Sequence, residues 1–375
     1  MFRTLFLFLL SLSANVLSAQ HAKTHTHVHS RVIQFPNVEG YESITCDLHM
    51  HTVFSDGSVW PDIRVKEALR DSVAVISLTE HLEYQPHGED IPHPDRNRAH
   101  NLAETYARPY KLMVIRGAEI TRQLPIGHVN AIFIEDANKL VLEDSLESFR
   151  EVRRQGGFTF WNHPNWIVQK QDGVAALSDL HKQLIADTLL HGIEVVNDLT
   201  YSDEALQVAI DNNLTVIGTS DIHGLVDWQY KIEEGGHRPV TIVMAKEKTS
   251  ESIREALFAG RTVAYFNHKL IGKQANVQPL LEACITVDSA AYIGPSSVAE
   301  VELINNSSTP FILGNTSDYT FHANSDIIIL PAHSSLTLQV KTKEQRTDFE
   351  LSFQVLNATI APNTHPTLSL NVPVE

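Results

Sequence analysis

The run Ile44-Thr45-Cys46-Asp47-Leu48-His49-Met50-His51-Thr52, continued by Phe54-Ser55-Asp56-Gly57, decides how the rest of the chain is read. Its first half is largely apolar and β-branched, as a buried strand requires, and two imidazoles emerge where that run stops. Alternation with period two puts His49 and His51 on one side, about 6.6 Å apart along the strand, a gap that two such side chains close around one ion. Alone, the pair reads equally well as two solvent-facing histidines.

The same arrangement recurs along the chain. Leu78-Thr79-Glu80-His81 ends the apolar run Val73–Leu78. Gly117-Ala118-Glu119-Ile120 ends another run with a carboxylate, which is costly in apolar surroundings unless paired or metal-bound. His128 opens the run Val129–Ile134, and His163 follows Phe158–Trp161 and Asn162. Finally, Gly218-Thr219-Ser220-Asp221-Ile222-His223-Gly224 repeats the i, i+2 spacing after Leu214–Ile217. A lone buried histidine is usually an ordinary hydrogen-bonded core residue, but so many strand ends carrying imidazole or carboxylate are hard to reach by chance.

Between these ends lie amphipathic stretches: Pro61–Asp71, Leu142–Arg154 closed by Gly156-Gly157, Ser178–Leu190, Asp203–Asn212 and Ser250–Phe258. Strands alternating with helices predict an α/β domain with a largely parallel sheet, closed as a (β/α) barrel or a distorted relative of one. After about Gln274 the texture becomes strand-like runs broken by Asn, Ser, Thr and Pro, the pattern of a small all-β sandwich. The expected organisation is a signal peptide over 1–19, a His-rich flexible segment over 20–42, a metal-binding barrel over 43–274 and the sandwich over 275–375.

Arg3, the apolar run Leu5–Leu12 and the small residues before Gln20 carry the signal-peptide reading, which places the mature chain in the periplasm or outside the cell. No later stretch is apolar for long enough to span a bilayer, so no membrane anchor is expected. The 375 residues carry a formal charge of -16, which argues against binding along an extended nucleic acid and favours a small substrate. Twenty histidines direct attention to metal, although His21, His25, His27 and His29 read first as a flexible tail. Cys46 and Cys284 each sit in an apolar run; a disulfide between them is open, but spacing alone does not show proximity.

The ordered series His-X-His, Ser-Asp-Gly, Thr-Glu-His, a lone Glu, two single His and a final Asp-X-His resembles the PHP family, named for polymerase-associated and histidinol phosphatase domains. The resemblance spans about residues 43–266. It implies a distorted (β/α)7 barrel, two or three divalent ions (Zn, Mn or Fe) and hydrolysis of phosphoesters. Carried over position by position, one ion takes His49, His51, Glu119 and Asp221; a second shares Glu119 with His128 and His163; a third uses Asp56, His81 and His223. Glu119, Asp221 and His223 are the candidates for direct catalytic work.

The bare chemistry agrees: two ions bridged by Glu119 would acidify a shared water and take up charge spreading over phosphoryl oxygens, with no nucleophilic side chain needed. Nitrogen and oxygen ligands without thiolate do not choose among the three metals. Arg116, Arg122 and Lys231 are further candidates for phosphate contacts, although each reads first as an ordinary surface charge. Glu80 and Asp47 are candidates to support ligands from behind, and Trp161 and Trp166 to line the cleft or pack. The rival readings are an amide- or lactone-hydrolysing enzyme of amidohydrolase type and a non-catalytic metal-binding or surface-recognition module.

Overall fold

In the computed structural model, which describes residues 31–374, the apolar runs before the histidines become staves of one curled sheet. Its strands are β1 (Glu42–Asp47), β2 (Val75–Leu78), β3 (Met113–Thr121), β4 (His128–Ile132), β5 (Phe158–Trp161), β6 (Gly192–Asn197), β7 (Thr200–Tyr201), β8 (Thr215–Thr219), β9 (Val240–Ala245), β10 (Thr262–Phe266) and β11 (Lys269–Ile271). They run β11-β10-β9-β1-β2-β3-β4-β5-β6, with β7 and β8 both bonded to β6. Helices α1 (Pro61–Asp71), α2 (Arg98–Ala107), α3 (Ser145–Arg154), α4 (Asp179–Ala186), α5 (Asp203–Asp211), α6 (Val226–Gln229) and α7 (Ser250–Phe258) fill the connections. Proline at the first turn starts α1, and Asp144 caps α3 by accepting from the Leu146 amide, so the ends fall where the capping residues stand.

The sheet is less parallel than the alternation predicts. The pairs β1–β2, β2–β3, β5–β6 and β6–β8 are parallel, but β4 is antiparallel to both neighbours and β9 is antiparallel to β1 and β10. The turn from β3 to β4 is too short for a crossover helix, so the chain must return antiparallel. Between β8 and its neighbours β9 and β10, threonine side chains bridge the gap: Thr241 Oγ1 accepts from the Gly218 amide at 3.0 Å and donates to Gly218 O at 2.8 Å, and Thr262 Oγ1 donates to Val216 O at 2.7 Å. Gly218 permits this approach, because a Cβ there would meet Ala264 Cβ at 2.8 Å.

Beyond the barrel, helix α8 (Gln274–Cys284) leads directly into β12 (Ile285–Tyr292), so a helix stands where the texture had suggested strand. The remaining strands are β13 (Val298–Asn305), β14 (Phe311–Asn315), β15 (Thr320–Phe321), β16 (Ile327–Leu330), β17 (Ser334–Lys341), β18 (Asp348–Val355), β19 (Ala358–Thr359) and β20 (Thr367–Pro373). Two four-stranded sheets, β12-β13-β17-β15 and β16-β14-β18-β20, pack through alternate side chains such as Val301, Leu303, Leu351 and Phe353. This is the expected architecture, a PHP-like barrel followed by a β domain.

The two parts share one apolar core that includes Tyr265 and Leu270 of the barrel and Leu313 and Val355 of the sandwich. Strand β19 leaves the sandwich and pairs in parallel with β11. The segment before β1 corrects an expectation. Residues 31–42 fall in the 20–42 segment expected to be flexible, yet Ile33 and Phe35 are buried in that shared core, and Ser308 Oγ accepts from the Gln34 amide. Arg31 pairs with Asp71 and Asp227. The expected signal peptide and the four histidines before residue 30 lie outside the described residues. Cys46 and Cys284 are buried free thiols, and no helix among the described residues is long and apolar enough to cross a membrane.

Candidate metal centre

The two strongest motifs lie side by side. Past the end of β1, the His51 amide donates to Ile222 O at 3.1 Å and the Asp221 amide to His49 O at 2.9 Å, so His-X-His and Asp-X-His lie side by side. The fully buried Arg64 of α1 clamps this junction, donating to the carbonyls of His51, Ile222 and Gly224 at 3.0, 2.9 and 2.7 Å. Gly57 explains the Ser-Asp-Gly motif: a Cβ there would lie 2.6 Å from the His51 carbonyl carbon, so only glycine lets the loop fold back and present Asp56. Two candidate ligands, His163 and Asp221, hold positive φ (29° and 48°), strain of the kind that collects at functional sites.

All nine candidate ligands meet at this end of the barrel. His49 Nε2 and His51 Nε2 are 3.0 Å apart and each is 3.1 Å from Asp221 Oδ1. Glu119 sits fully buried in the middle, 2.5 Å from His81 Nδ1, 3.1 Å from His128 Nδ1 and 3.7 Å from each of His49, His51 and His163 Nε2. Asp56 faces His81 Nε2 at 3.3 Å and His223 Nε2 at 3.2 Å. His128 reaches this mouth because β4 is antiparallel: its first residue stands beside the last residues of its neighbours. In an all-parallel barrel it would open on the far side.

These groups suit a divalent cation better than they suit one another. Glu119 Oε2 and Asp221 Oδ1 are buried and make no well-directed hydrogen bond among the described residues, although imidazole nitrogens crowd them at 2.5–3.1 Å. Three sets can each converge on one ion, with ligand atoms within 4.8 Å of one another: His51, Asp56, His81 and His223; His49, His51 and Glu119; His81, Glu119 and His128. Burial lowers the His49 pKa, but Asp221 and Glu194 outweigh it and hold the imidazole at about 10. For His81, burial is likewise outweighed by Glu119 and Asp56, giving about 11. His51 is pushed down to about 3 by burial and by the neighbouring His81 charge. Burial raises Glu119, Asp221 and Asp56, yet the surrounding imidazoles pull all three well below the carboxylate range. Without metal, protons shared with the imidazoles take the cation's place.

Sequence reading missed Glu194, the hub behind the centre. It sits at an irregularity in the β6 register and accepts from His49 Nδ1 at 2.8 Å, the His163 amide at 2.7 Å, Thr219 Oγ1 at 2.5 Å and Asn197 Nδ2 at 2.8 Å. Because Glu194 accepts from Nδ1, it is Nε2 that faces the centre and would offer its lone pair once deprotonated. The signal was present: a glutamate inside Gly192-Ile193-Glu194-Val195-Val196 carries the same burial cost that drew attention to Glu119. Asn162, which donates to Glu119 Oε1 at 2.7 Å, was also passed over.

Glu80 accepts from the Thr52 amide and from the Ser55 hydroxyl, which is itself 3.2 Å from His51 Nδ1; Asp47 accepts from the Ser220 amide and pairs with Arg238. Both steady the loops that carry ligands. A cleft of about 570 Å³ opens above the centre, with Trp166 in its wall. Trp161 is instead buried against His181. None of Arg116, Arg122 and Lys231 lines the cleft: Arg116 bonds Glu135 O, Arg122 pairs with Glu83, and Lys231 lies near Glu234.

Residues 285–371 match a family described as an Ig-like domain. A two-domain protein from Bacteroides vulgatus, described as containing a predicted PHP-like metal-dependent phosphoesterase, is 38% identical over 91% of this chain and 98% of its own, with a TM-score of 0.84. A candidate metal-dependent phosphoesterase from Bifidobacterium adolescentis is 17% identical over 59% of this chain and 98% of its own, with a TM-score of 0.39. A search among curated proteins finds no match. At 38% identity across both domains, the chain belongs to the family of two-domain, PHP-like metal-dependent phosphoesterases.

Proposed function

We propose that this protein is an exported hydrolase of phosphomonoesters or small phosphodiesters, working on a small phosphorylated substrate at a centre of two or three divalent ions. The observation that carries the reading is the convergence of six imidazoles and three carboxylates at one end of the barrel, where Glu119 Oε2 and Asp221 Oδ1 are buried without a well-directed hydrogen bond. His49, His51, Glu119 and Asp221 would hold one ion, Glu119, His128 and His163 a second, and Asp56, His81 and His223 a third. When bound, Zn, Mn or Fe would supply Lewis acidity, acidifying a water and neutralising charge on the phosphoryl oxygens.

The chain's own residues prepare that chemistry. Glu194 orients His49, Asn162 orients Glu119, and Arg64 keeps the two ligand-bearing segments in register. His223 is the most exposed of the six imidazoles, its side chain 41% accessible, and it faces the cleft beside Asp56, within reach of a leaving group. An exported location rests on residues 1–19 of the sequence.

The test is hydrolysis of nitrophenyl phosphate and bis(nitrophenyl) phosphate by mature protein, with bound metal counted on the same sample. Turnover should be lost to a chelator and restored by Mn or Zn. Two or three bound ions without turnover of either ester would favour amide or lactone hydrolysis, and no bound metal would favour a recognition module.

A further inference from the structure

We infer that the cleft selects phosphoesters whose leaving group is an uncharged, largely apolar alcohol, and that it turns away esters carrying a second anionic group. The inference rests on the phosphoesterase reading above and adds the part of the substrate beyond phosphorus.

The ion ligands form one side of the cleft. The other side comes from the segment after β5, with Asn165, Trp166 and Ile167, and from the β6–β7 turn, with Asp198 and Thr200. The Trp166 ring stands 5.2 Å from the His163 ring and 5.6 Å from the His128 ring, so a group leaving phosphorus on that side passes over the indole. Ile167, 68% exposed, lines the cleft beside Trp166, and Val168 and Leu199, at 70% and 57% exposure, are sequence neighbours of lining residues. Side chains this apolar are seldom left out together near a cleft without a ligand to cover them.

None of the thirteen lining residues is lysine or arginine. Two cations of the neighbouring segments are paired with carboxylates, Lys170 with Asp172 at 2.8 Å and Arg122 with Glu83 at 2.9 Å, and Lys269 lies over the Tyr201 ring. Sites for a second phosphate or carboxylate normally present an arginine fork or a lysine. Here such a group would meet Asp198, whose Oδ1 is fixed by Gln229 Nε2 at 2.7 Å and by the Tyr230 hydroxyl at 3.3 Å. Hydrolysis joins a water oxygen to phosphorus and breaks the bond to the alcohol, which departs with one of the water's protons. The ions would serve the phosphoryl group, while Trp166 and Asp198 judge the alcohol.

The experiment compares kcat/KM of the metal-loaded enzyme for naphthyl phosphate and its ring-sulfonated counterpart, together with direct binding of the two free naphthols followed by calorimetry. The uncharged ester should be preferred by about tenfold or more, and Asp198→Asn should narrow the gap. Trp166→Ala should lower kcat/KM about tenfold more for naphthyl phosphate than for ethyl phosphate. Equal or reversed preference, or equal loss on the two esters in Trp166→Ala, would overturn the inference. Should neither ester be hydrolysed, the phosphoesterase reading fails on its own. The naphthols still decide the subsite: tighter binding of the uncharged one supports it, and equal or weaker binding overturns it.

Discussion

The mouth of the barrel and the core of the sandwich handle buried polarity in opposite ways. In the sandwich, buried Asn305 donates to the carbonyls of Thr309 and Pro331 and accepts from Ser307, and its strands alternate buried and exposed positions with few exceptions. Among the described residues, every buried side-chain polar atom without a partner lies at or before residue 238, two of them on Glu119 and Asp221. The sandwich satisfies itself, whereas the barrel mouth is arranged around something that must come from outside. Unpaired buried acceptors and left-handed ligand residues cost stability that a self-contained core would not give up.

The largest effect that would sharpen this contrast is loss of the central carboxylate. Glu119→Ala should remove most bound metal and lower turnover by about a thousandfold or more, with a cooperative thermal transition retained. Metal counted on purified variant alongside a melting curve decides it, and retained metal with retained turnover would break the comparison. Next is Phe353→Ala in the sandwich, where a fully buried ring is removed. It should cost about 3–5 kcal/mol in denaturant unfolding while leaving metal stoichiometry of the folded protein unchanged. Because the two parts share one core and β19 joins the barrel sheet, unfolding should stay a single transition. Two separate transitions would show that the parts are energetically independent.

A smaller effect concerns protons. His49 is held at about 10 by Asp221 and Glu194, so at neutral pH a metal ion must displace its proton. Affinity should therefore rise by about tenfold per pH unit for that group, up to its raised pKa, and level off above it. Glu194→Gln should weaken metal binding by about 10–100-fold and bring the levelling-off to lower pH. Titration calorimetry in buffers of different ionisation heat counts the protons released. An affinity independent of pH would mean that His49 does not hold the ion.

Much of the site was legible because metal ligation is written in short spacings. His49 with His51 and Asp221 with His223 share a spacing of two just past a strand end, although Asp221 itself turns left-handed, and Glu119 stood out as a carboxylate in apolar surroundings. Glu194 escaped because its neighbours on both sides read as continuous strand, and an orienting residue leaves no spacing of its own. Helix α8 escaped because Pro279 and the polar residues around it blur its periodicity. The packed segment from Arg31 to Glu42 read as an extension of the His-rich tail, since burial of two isolated apolar residues, Ile33 and Phe35, depends on a groove formed by distant chain.

The amino-acid sequence by itself determined the candidate ligand types, their placement near strand ends, the α/β and all-β division and the family. Only the tertiary structure decided that His128 shares the mouth, that Asp56 turns inward over Gly57, that Glu194 stands behind His49, and that the cleft wall is Trp166 and Asp198 without a cation. The reason is physical: residues two apart lie on one face by local geometry alone. Which strand ends become neighbours depends on strand direction and register, and those are settled by packing between residues far apart in the chain.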